Sequence, residues 1–143
     1  MAEPPRLQVA GPASGPVEGV VLRLDEPLSF WGGLDAATGE VIDRHHPQVG
    51  RSVTGRVLVM HSGRGSSSGS SVLLEAVRCG TAPVAIVMVE PDAIVALGAI
   101  VASELYGVAL PVVLVDEAQF ARLRTGVRVD VGVDGSVRTI AAG

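Results

Sequence analysis

Short apolar runs alternate with longer stretches of helical spacing between residues 56 and 123 of this 143-residue chain. The runs predict buried strands, and the stretches between them predict helices because their apolar residues recur every three or four positions. Buried strands that alternate with helices form a parallel sheet with right-handed crossovers. The predicted strands cover residues 56–60, 84–89 and 111–115, and the predicted helices cover residues 70–78, 93–105 and 116–123.

Further β structure is predicted on both sides of this segment. Residues 17–24 are rich in β-branched side chains and end at a turn, and residues 40–43 are a second, short strand candidate. Near the C-terminus, residues 127–133 alternate apolar and polar side chains before Asp134 and Gly135, which predicts a β-hairpin with residues 136–140. The predicted fold class is therefore α/β, with a largely parallel sheet, flanking helices and a C-terminal hairpin.

The chain length fits one domain, which we expect to cover residues 17–143. Residues 1–16 contain four prolines and no continuous apolar run, so they predict a flexible N-terminal arm and not a secretory signal. The longest uncharged run near the centre, residues 93–103, is about half as long as a membrane-spanning helix. A single cysteine fits a reducing compartment, so the expected location is the cytoplasm, without membrane contact.

The charge and the aromatic content argue against a nucleic-acid partner. The net charge is -4, and the Arg residues, in a chain without Lys, form no cluster that would neutralise phosphates. One Trp, one Tyr and two Phe provide almost no surface on which bases could stack. We therefore expect no binding to DNA or RNA.

The Gly/Ser-rich stretch at residues 62–71 lies between a predicted strand and a predicted helix. Glycines allow a ligand to approach the backbone, and the N–H groups at a helix start favour an anion. The Arg64 guanidinium can bind a carboxylate or phosphate through two parallel hydrogen bonds, assisted by hydroxyl and amide donors. A flexible linker that ends in a serine cap is the alternative, but the position between strand and helix favours the anion site. The predicted substrate-binding residues are Gly63, Arg64, Gly65, Ser67 and Ser68.

Three well-known glycine motifs fit this stretch incompletely. The dinucleotide-binding pattern fails because its third glycine comes one residue late, at Gly69. The phosphate-binding loop of nucleotide hydrolases fails because no Lys follows the last glycine. Residues 65–69 have the letters of a nucleophile elbow, but every histidine precedes them, whereas that fold needs its catalytic His after the serine. A self-contained serine hydrolase with Ser67 as nucleophile is therefore disfavoured.

The histidines and the cysteine do not indicate a metal site. His45 and His46 are adjacent and cannot easily face one ion, and no cluster of further ligands surrounds them or His61. We expect surface or turn histidines at these positions. Cys79 lies at the end of a predicted helix, before Gly80, where we expect a buried or capping-region thiol and not a nucleophile.

Five segments of the chain occur in an order that is typical of one known family. They are Leu28-Ser29-Phe30-Trp31-Gly32-Gly33-Leu34-Asp35, Thr38-Gly39-Glu40-Val41-Ile42-Asp43, His46-Pro47, Ser62-Gly63-Arg64-Gly65-Ser66-Ser67-Ser68-Gly69-Ser70 and Gly80-Thr81-Ala82-Pro83. Together they resemble the small, swivelling domain of the aconitase X family over roughly residues 19–115. His61 departs from the family pattern, in which we expect a proline at this place.

The resemblance implies a swivelling β/β/α fold for residues 17–143 and a hydro-lyase activity shared with a large subunit. It implies that the large subunit carries an iron–sulfur cluster and that the substrate is a small hydroxy acid such as phosphomevalonate or cis-3-hydroxy-L-proline. It places the catalytic serine, whose alkoxide removes a proton from the substrate, at Ser66. Because one cysteine cannot hold such a cluster, we expect no cofactor on this chain.

On this interpretation the chain is the small subunit of an aconitase X-type dehydratase. The segment Phe30-Trp31-Gly32-Gly33 is then a candidate for the subunit interface or for the wall of the cleft. Two other functions stay open. One is a non-catalytic anion-binding or regulatory module that uses the same Gly/Ser-rich stretch without a cluster-bearing partner. The other is the isolated serine hydrolase, which covalent labelling of Ser67 would reveal.

Overall fold

The computed structural model describes residues 8–10, 16–64 and 67–140. Within these ranges the strands are β1 (Gln8–Ala10), β2 (Val17–Arg23), β3 (Leu34–Asp35), β4 (Glu40–Val41), β5 (Val57–Met60), β6 (Ala85–Met88), β7 (Val112–Leu114), β8 (Arg128–Val131) and β9 (Val137–Thr139). The helices are α2 (Gly69–Cys79), α3 (Ala93–Tyr106) and α4 (Glu117–Arg122), and α1 (Phe30–Gly33) is a single turn in which Trp31 and Gly32 are not helical. None of the described helices is long and apolar enough to cross a lipid bilayer.

Four parallel strands form the centre of a curled, seven-stranded sheet. The order across the sheet is β1-β7-β6-β5-β2-β8-β9. Strands β2, β5, β6 and β7 run in the same direction, and one row of paired residues crosses them at Leu22, Leu58, Ile86 and Val112. Antiparallel strands complete both sides, with β1 beside β7 and the β8–β9 hairpin beside β2. A separate two-stranded hairpin is formed by β3 and β4.

Successive side chains of β5 enter two separate apolar cores. Leu58 and Met60 face the core that also contains residues of α2 and α3, whereas Val57 and Val59 face the core on the other side of the sheet. All four side chains are fully buried. Phe120 of α4 packs against the second core. Because both faces are covered, every position of this strand is apolar, and this produces the continuous runs in the sequence.

The fold class predicted from the sequence is confirmed. Every strand and helix predicted between residues 56 and 123 is present, and each end differs from the prediction by no more than one residue. The predicted C-terminal hairpin is also present, and Asp130 lies opposite Arg138 in its two strands. Strands that are covered on both faces are therefore correctly identified by their continuous apolar character.

The structure adds a strand within the segment for which the sequence predicts a flexible arm. The backbone of residues 8–10 pairs with β7 in antiparallel orientation. This pairing supplies partners for N–H and C=O groups on a strand that would otherwise lie at the edge of the sheet. Residues 1–7 and 11–15 of the predicted arm lie outside the described part of the chain.

The middle of the chain, residues 34–54, has little regular structure but is tied to the rest of the protein. The Thr81 hydroxyl donates a hydrogen bond to the Ala36 carbonyl at 2.6 Å, and the Thr54 hydroxyl donates one to the Thr81 carbonyl at 2.9 Å. Val41 and Val53 of this segment are fully buried. Hydrogen bonds and burial therefore hold a largely irregular segment, in which the strand predicted at residues 40–43 is present as the two-residue strand β4.

His46 organises one of these turns. Its side chain lies in a turn, as predicted, but it is buried rather than at the surface, with 4% exposure. The Gln48 N–H donates to Nδ1 at 3.0 Å, so Nε2 donates to the Glu26 carbonyl at 2.9 Å. Both ring nitrogens thus have protein partners, which permits the burial of a polar side chain.

Candidate active site

The parallel strands direct four chain segments to the same edge of the sheet. Strands β2, β5, β6 and β7 all end at this edge, which we call the carboxyl edge. The segments that follow them include Leu28, Gly63, Asp92 and Asp116. Ligands of open α/β sheets bind in the crevice beside the carboxyl ends of the strands. The carboxyl edge is therefore the place where a site is expected.

A small cavity lies at the carboxyl edge, at the start of the Gly/Ser-rich stretch. Its volume is about 10 Å³, and residues from several elements line it, among them Leu28, Phe30, Gly63, Arg64, Asp92 and Ile94. Gly63 also pairs with Leu28 in an isolated parallel bridge, which joins the stretch to the segment after β2. A cavity of this size holds about one water molecule, so a substrate would have to bind at its mouth.

Asp92 joins the start of α3 to the start of the Gly/Ser-rich stretch. It is the N-cap residue of α3, and its Oδ1 atom accepts hydrogen bonds from the N–H groups of Ile94 at 2.8 Å and Val95 at 3.2 Å. Its other oxygen, Oδ2, lies against Gly63, where a Cβ atom would be only 1.8 Å away. No side chain fits at Gly63 unless this carboxylate moves.

The structure shows a contact of Asp92 that the sequence pattern does not indicate. The residue pair Pro91-Asp92 indicates only the start of a helix. The contact with Gly63 depends on the pairing of β5 with β6, which brings the ends of both strands together. A polar residue directly after a buried parallel strand is the signal that could have drawn attention to Asp92.

The structure brings some of the predicted site residues together. Gly63 and Arg64 line the cavity, and the Arg64 side chain is exposed. Ser67 is exposed, and its carbonyl accepts a hydrogen bond from the Ser70 hydroxyl at 3.1 Å. Ser68 occupies the N-cap position of α2, where its carbonyl accepts hydrogen bonds from the N–H groups of Ser71 and Val72 in the first turn of that helix. The other two predicted residues, Gly65 and Ser66, lie outside the described part of the chain.

His61 connects the start of the Gly/Ser-rich stretch to α4. Its Nε2 atom lies 2.5 Å from Oε1 of Glu117, and its ring meets the Phe120 ring edge to face with 5.5 Å between centroids. The Arg23 guanidinium also lies 5.5 Å from the Phe120 centroid. His61 is partly exposed, in agreement with the prediction of a surface or turn histidine. These side-chain contacts nevertheless fix its position. The His61 carbonyl also accepts two backbone hydrogen bonds, from the N–H groups of residues 89 and 90.

Cys79 lies far from the candidate site. It is the last residue of α2, whose first residue lines the cavity, so about 15 Å of helix separates the two. Its position next to the helix cap agrees with the prediction, but the thiol is exposed and not buried. Its neighbour Arg78 lowers the pKa of Glu75 through a side-chain hydrogen bond, and Glu75 in turn raises the pKa of Arg78.

The described residues contain no group of three or more His, Cys, Asp or Glu side chains that is arranged to hold a metal ion. An iron–sulfur cluster is usually held by three or four cysteine thiolates. The chain has one cysteine, and this residue is at the opposite end of α2 from the candidate site. The residues of this chain therefore do not fit an iron–sulfur cluster.

A larger groove lies at the other end of the parallel strands, near the residue that precedes β2. Its volume is about 440 Å³, and Pro16, Asp130, Ser136 and Arg138 contribute to its walls. Arg138 is paired with Asp130 at 3.3 Å, so the two opposite charges satisfy each other. The Arg138 guanidinium is exposed but already has a carboxylate partner, and the groove lies away from the carboxyl ends of the parallel strands.

The contact between Gly63 and Asp92 predicts a specific pattern of stabilities. Gly63→Ala should lower the free energy of unfolding by about 1 kcal/mol, because the new methyl group displaces the carboxylate that caps α3. In the Asp92→Ser background the same change should cost less, since serine also caps a helix but has no second oxygen. Urea unfolding of the two single variants and the double variant measures this coupling.

Gly69→Ala is the matched control for this experiment. A Cβ atom at Gly69 would meet its nearest neighbour, Ile94, at 3.5 Å, which is an ordinary van der Waals contact. We expect no loss of stability for this variant. Equal costs of Gly63→Ala in both backgrounds would show that the carboxylate is not the group that excludes a side chain.

Comparison with known proteins identifies the family of the chain. The family model described as the aconitase X swivel domain matches residues 6–140. The chain is 55% identical over 113 residues to cis-3-hydroxy-L-proline dehydratase of Pseudomonas aeruginosa, covering 79% of this chain but only 19% of that protein. It is 37% identical over 139 residues to the phosphomevalonate dehydratase small subunit of Pyrococcus furiosus, covering 96% of this chain and 98% of that subunit.

A solved structure has the same fold. The holo-form of aconitase X from Thermococcus kodakaraensis superposes with a TM-score of 0.79 and 36% sequence identity, covering 96% of this chain and 100% of that chain. The resemblance drawn from the sequence segments is thereby confirmed and extended to nearly the whole chain. The family match, the end-to-end match to a small subunit and the shared fold lead to one conclusion. This chain belongs to the aconitase X swivel domain family.

Proposed function

We propose that this chain is the small subunit of an aconitase X-type dehydratase that acts on a hydroxy acid. The observation that carries the proposal is the match to nearly the full length of the Pyrococcus furiosus small subunit. The substrate would be a molecule such as phosphomevalonate or cis-3-hydroxy-L-proline, which the names of the relatives contain. A single free cysteine fits a reducing compartment, and we place the enzyme in the cytoplasm.

The form of the candidate site supports a role as half of an active site. The cavity at the carboxyl edge is too small for a substrate, and Arg64 in its wall is exposed, as is Ser67 further along the same stretch. A second protein surface placed over this edge would create a cleft of sufficient size and exclude water from it. We assign that surface, together with an iron–sulfur cluster, to a large aconitase X-type subunit, because this chain has no suitable set of cluster ligands.

Arg64 is the residue that we assign to substrate binding. Its planar guanidinium has the geometry to bind a carboxylate or a phosphate by two parallel hydrogen bonds. Gly63 brings the backbone close to the cavity, and Gly65, Ser67 and Ser68 provide amide and hydroxyl groups along the same stretch. Among the described residues that line the cavity, Arg64 is the exposed cation, and this assignment uses it.

Ser66 is the residue that we assign to proton removal. In a dehydration, a proton leaves one carbon of the substrate and a hydroxide leaves the neighbouring carbon. We assign the proton to the Ser66 alkoxide, which becomes a neutral hydroxyl, and the departure of the hydroxide to the large-subunit side of the cleft. A serine hydroxyl is a weak acid, so a nearby cation such as Arg64 and the N-terminus of α2 would have to stabilise its ionised form.

Reconstitution from purified subunits tests the proposal as a whole. The chain alone should be folded, colourless and inactive, because it has a complete apolar core but no ligands for a cluster. Addition of the large subunit should produce dehydratase activity, measured with each of the two substrates, and the large subunit alone is the control. Stoichiometric iron on this chain, or a large subunit that is fully active alone, would refute the two-subunit assignment.

Substitution of the serines separates catalysis from binding. Ser66→Ala should lower kcat of the reconstituted enzyme by about a hundredfold to ten-thousandfold, the usual contribution of a general base. Subunit association and KM should change little, because a single hydroxyl is lost from a stretch that contains several donors.

Ser67→Ala and Ser68→Ala are the controls for this change, and we expect smaller losses of kcat from each. Abolition of turnover by Ser67→Ala alone would move the base to that residue. Near-normal turnover in all three variants would favour a non-catalytic, anion-binding module.

The assignment of Arg64 is tested by a change that keeps the charge. Arg64→Lys replaces a planar fork by a point charge, so substrate affinity should fall by about 1.5 to 3 kcal/mol, which is roughly a 10-fold to 150-fold rise in KM. Arg138→Lys, on the edge strand β9, is the matched control and should leave KM unchanged. If KM is the same for both variants, Arg64 does not bind the substrate.

A further inference from the structure

One large aromatic side chain stands exposed beside the candidate site. The Trp31 side chain is 60% exposed, although the residues on both sides of its turn, Phe30 and Gly33, are buried. Tryptophan is highly buried on average in folded proteins because its apolar area is large. Its exposure here leaves an energetically costly surface in contact with water, and another surface could cover it.

The turn that carries Trp31 is held in a fixed conformation. The Ser29 hydroxyl donates a hydrogen bond to the Trp31 carbonyl at 3.2 Å, and the Leu34 N–H donates to the Phe30 carbonyl. Gly32, with φ of 78°, provides the left-handed backbone that closes the turn. Trp31 is therefore presented on an ordered turn and does not stand at the tip of a loose loop.

The position of Trp31 relates it to the candidate site. It directly follows Phe30, which lines the cavity together with Arg64 and Asp92. Three residues earlier, Leu28 pairs with Gly63 at the start of the Gly/Ser-rich stretch. Trp31 thus lies at the carboxyl edge, next to a wall residue of the cavity, where the proposed large subunit would complete the cleft.

We propose that Trp31 is the anchor through which this chain docks onto the large subunit, with its indole in an apolar pocket of that subunit. The inference rests on the proposed function, because a partner that closes over Arg64 also covers the carboxyl edge, where Trp31 lies. Tryptophan side chains are enriched among the few residues that dominate binding energy at the centre of interfaces. From the sequence, the segment that contains Phe30 and Trp31 is a candidate for either the subunit interface or the cleft wall. The structure places Phe30 in the wall of the cavity, and we assign Trp31 to the interface.

A second exposed apolar surface provides a comparison. Leu97, Ile100 and Leu105 project from the outer side of α3 with exposures of 49%, 44% and 63%. Helix α3 starts at the carboxyl edge and runs away from it, so Leu105 lies about 18 Å along the helix from its first residue. A partner that closes the cleft has no need to reach Leu105, which makes this residue a matched control of similar exposure.

The chain's single tryptophan allows a direct test of the docking role. Biosynthetic replacement by 5-fluorotryptophan labels only Trp31 in this chain, so the labelled protein gives one fluorine resonance. Titration with unlabelled large subunit should shift and broaden this resonance as the indole leaves water. A resonance that keeps its position in the saturated, active complex would overturn the inference, while the proposed function would stand.

Affinity measurements on variants give the energetic test. Trp31→Ala should raise the Kd for the large subunit at least 30-fold, the ratio that corresponds to a hot-spot loss of about 2 kcal/mol. Trp31→Phe should recover part of this affinity, and Leu105→Ala should bind like the unmodified chain. At saturating large subunit, the substrate KM of Trp31→Ala should be unchanged.

Three other results would count against the docking role. An unchanged Kd for Trp31→Ala would overturn it directly. A normal Kd with a raised substrate KM would place Trp31 in the substrate cleft and would also overturn it. Failure of the unmodified chain to bind the large subunit would refute the proposed function itself, and the docking role with it.

Discussion

Four neighbouring strands of the sheet run in the same direction, and this common direction brings the candidate site together. Each strand delivers the segment that follows it to the carboxyl edge, where Leu28, Gly63 and Asp92 come from three different segments. The strands themselves are held by apolar side chains on both faces, so the edge has a rigid support. In the proposed two-subunit enzyme, a sheet that is already ordered before the partner binds reduces the entropic cost of assembly.

The central part of the fold could be predicted because its strands are buried on both sides. Such strands leave short continuous apolar runs between turn-forming residues, and their short length and β-branched side chains distinguish them from buried helices. Strand β1 could not be predicted in this way, since three residues between prolines have no pattern of their own and become a strand only by pairing with β7. The burial of His46 likewise depends on partners at Glu26 and Gln48, which the turn residues around it do not reveal.

The location of the candidate site could be predicted from the sequence, but the contacts between its residues could not. A Gly/Ser-rich stretch between a strand and a helix predicts an anion site, and Gly63 and Arg64 of this stretch line the small cavity at the carboxyl edge. The role of Asp92 could not be predicted, because its contact with Gly63 arises from the tertiary pairing of β5 and β6. The exposure of Cys79 also escaped prediction, since packing decides which face of the last helical turn meets solvent.

The packing of Asp92 against Gly63 also has an evolutionary consequence. One carboxylate serves two elements, because one oxygen caps α3 and the other fills the space beside Gly63. A substitution at either position therefore changes the constraint at the other. In related chains the two positions should vary together: a side chain at the first requires a shorter capping residue at the second, whereas glycine at the first leaves the longer acid in place.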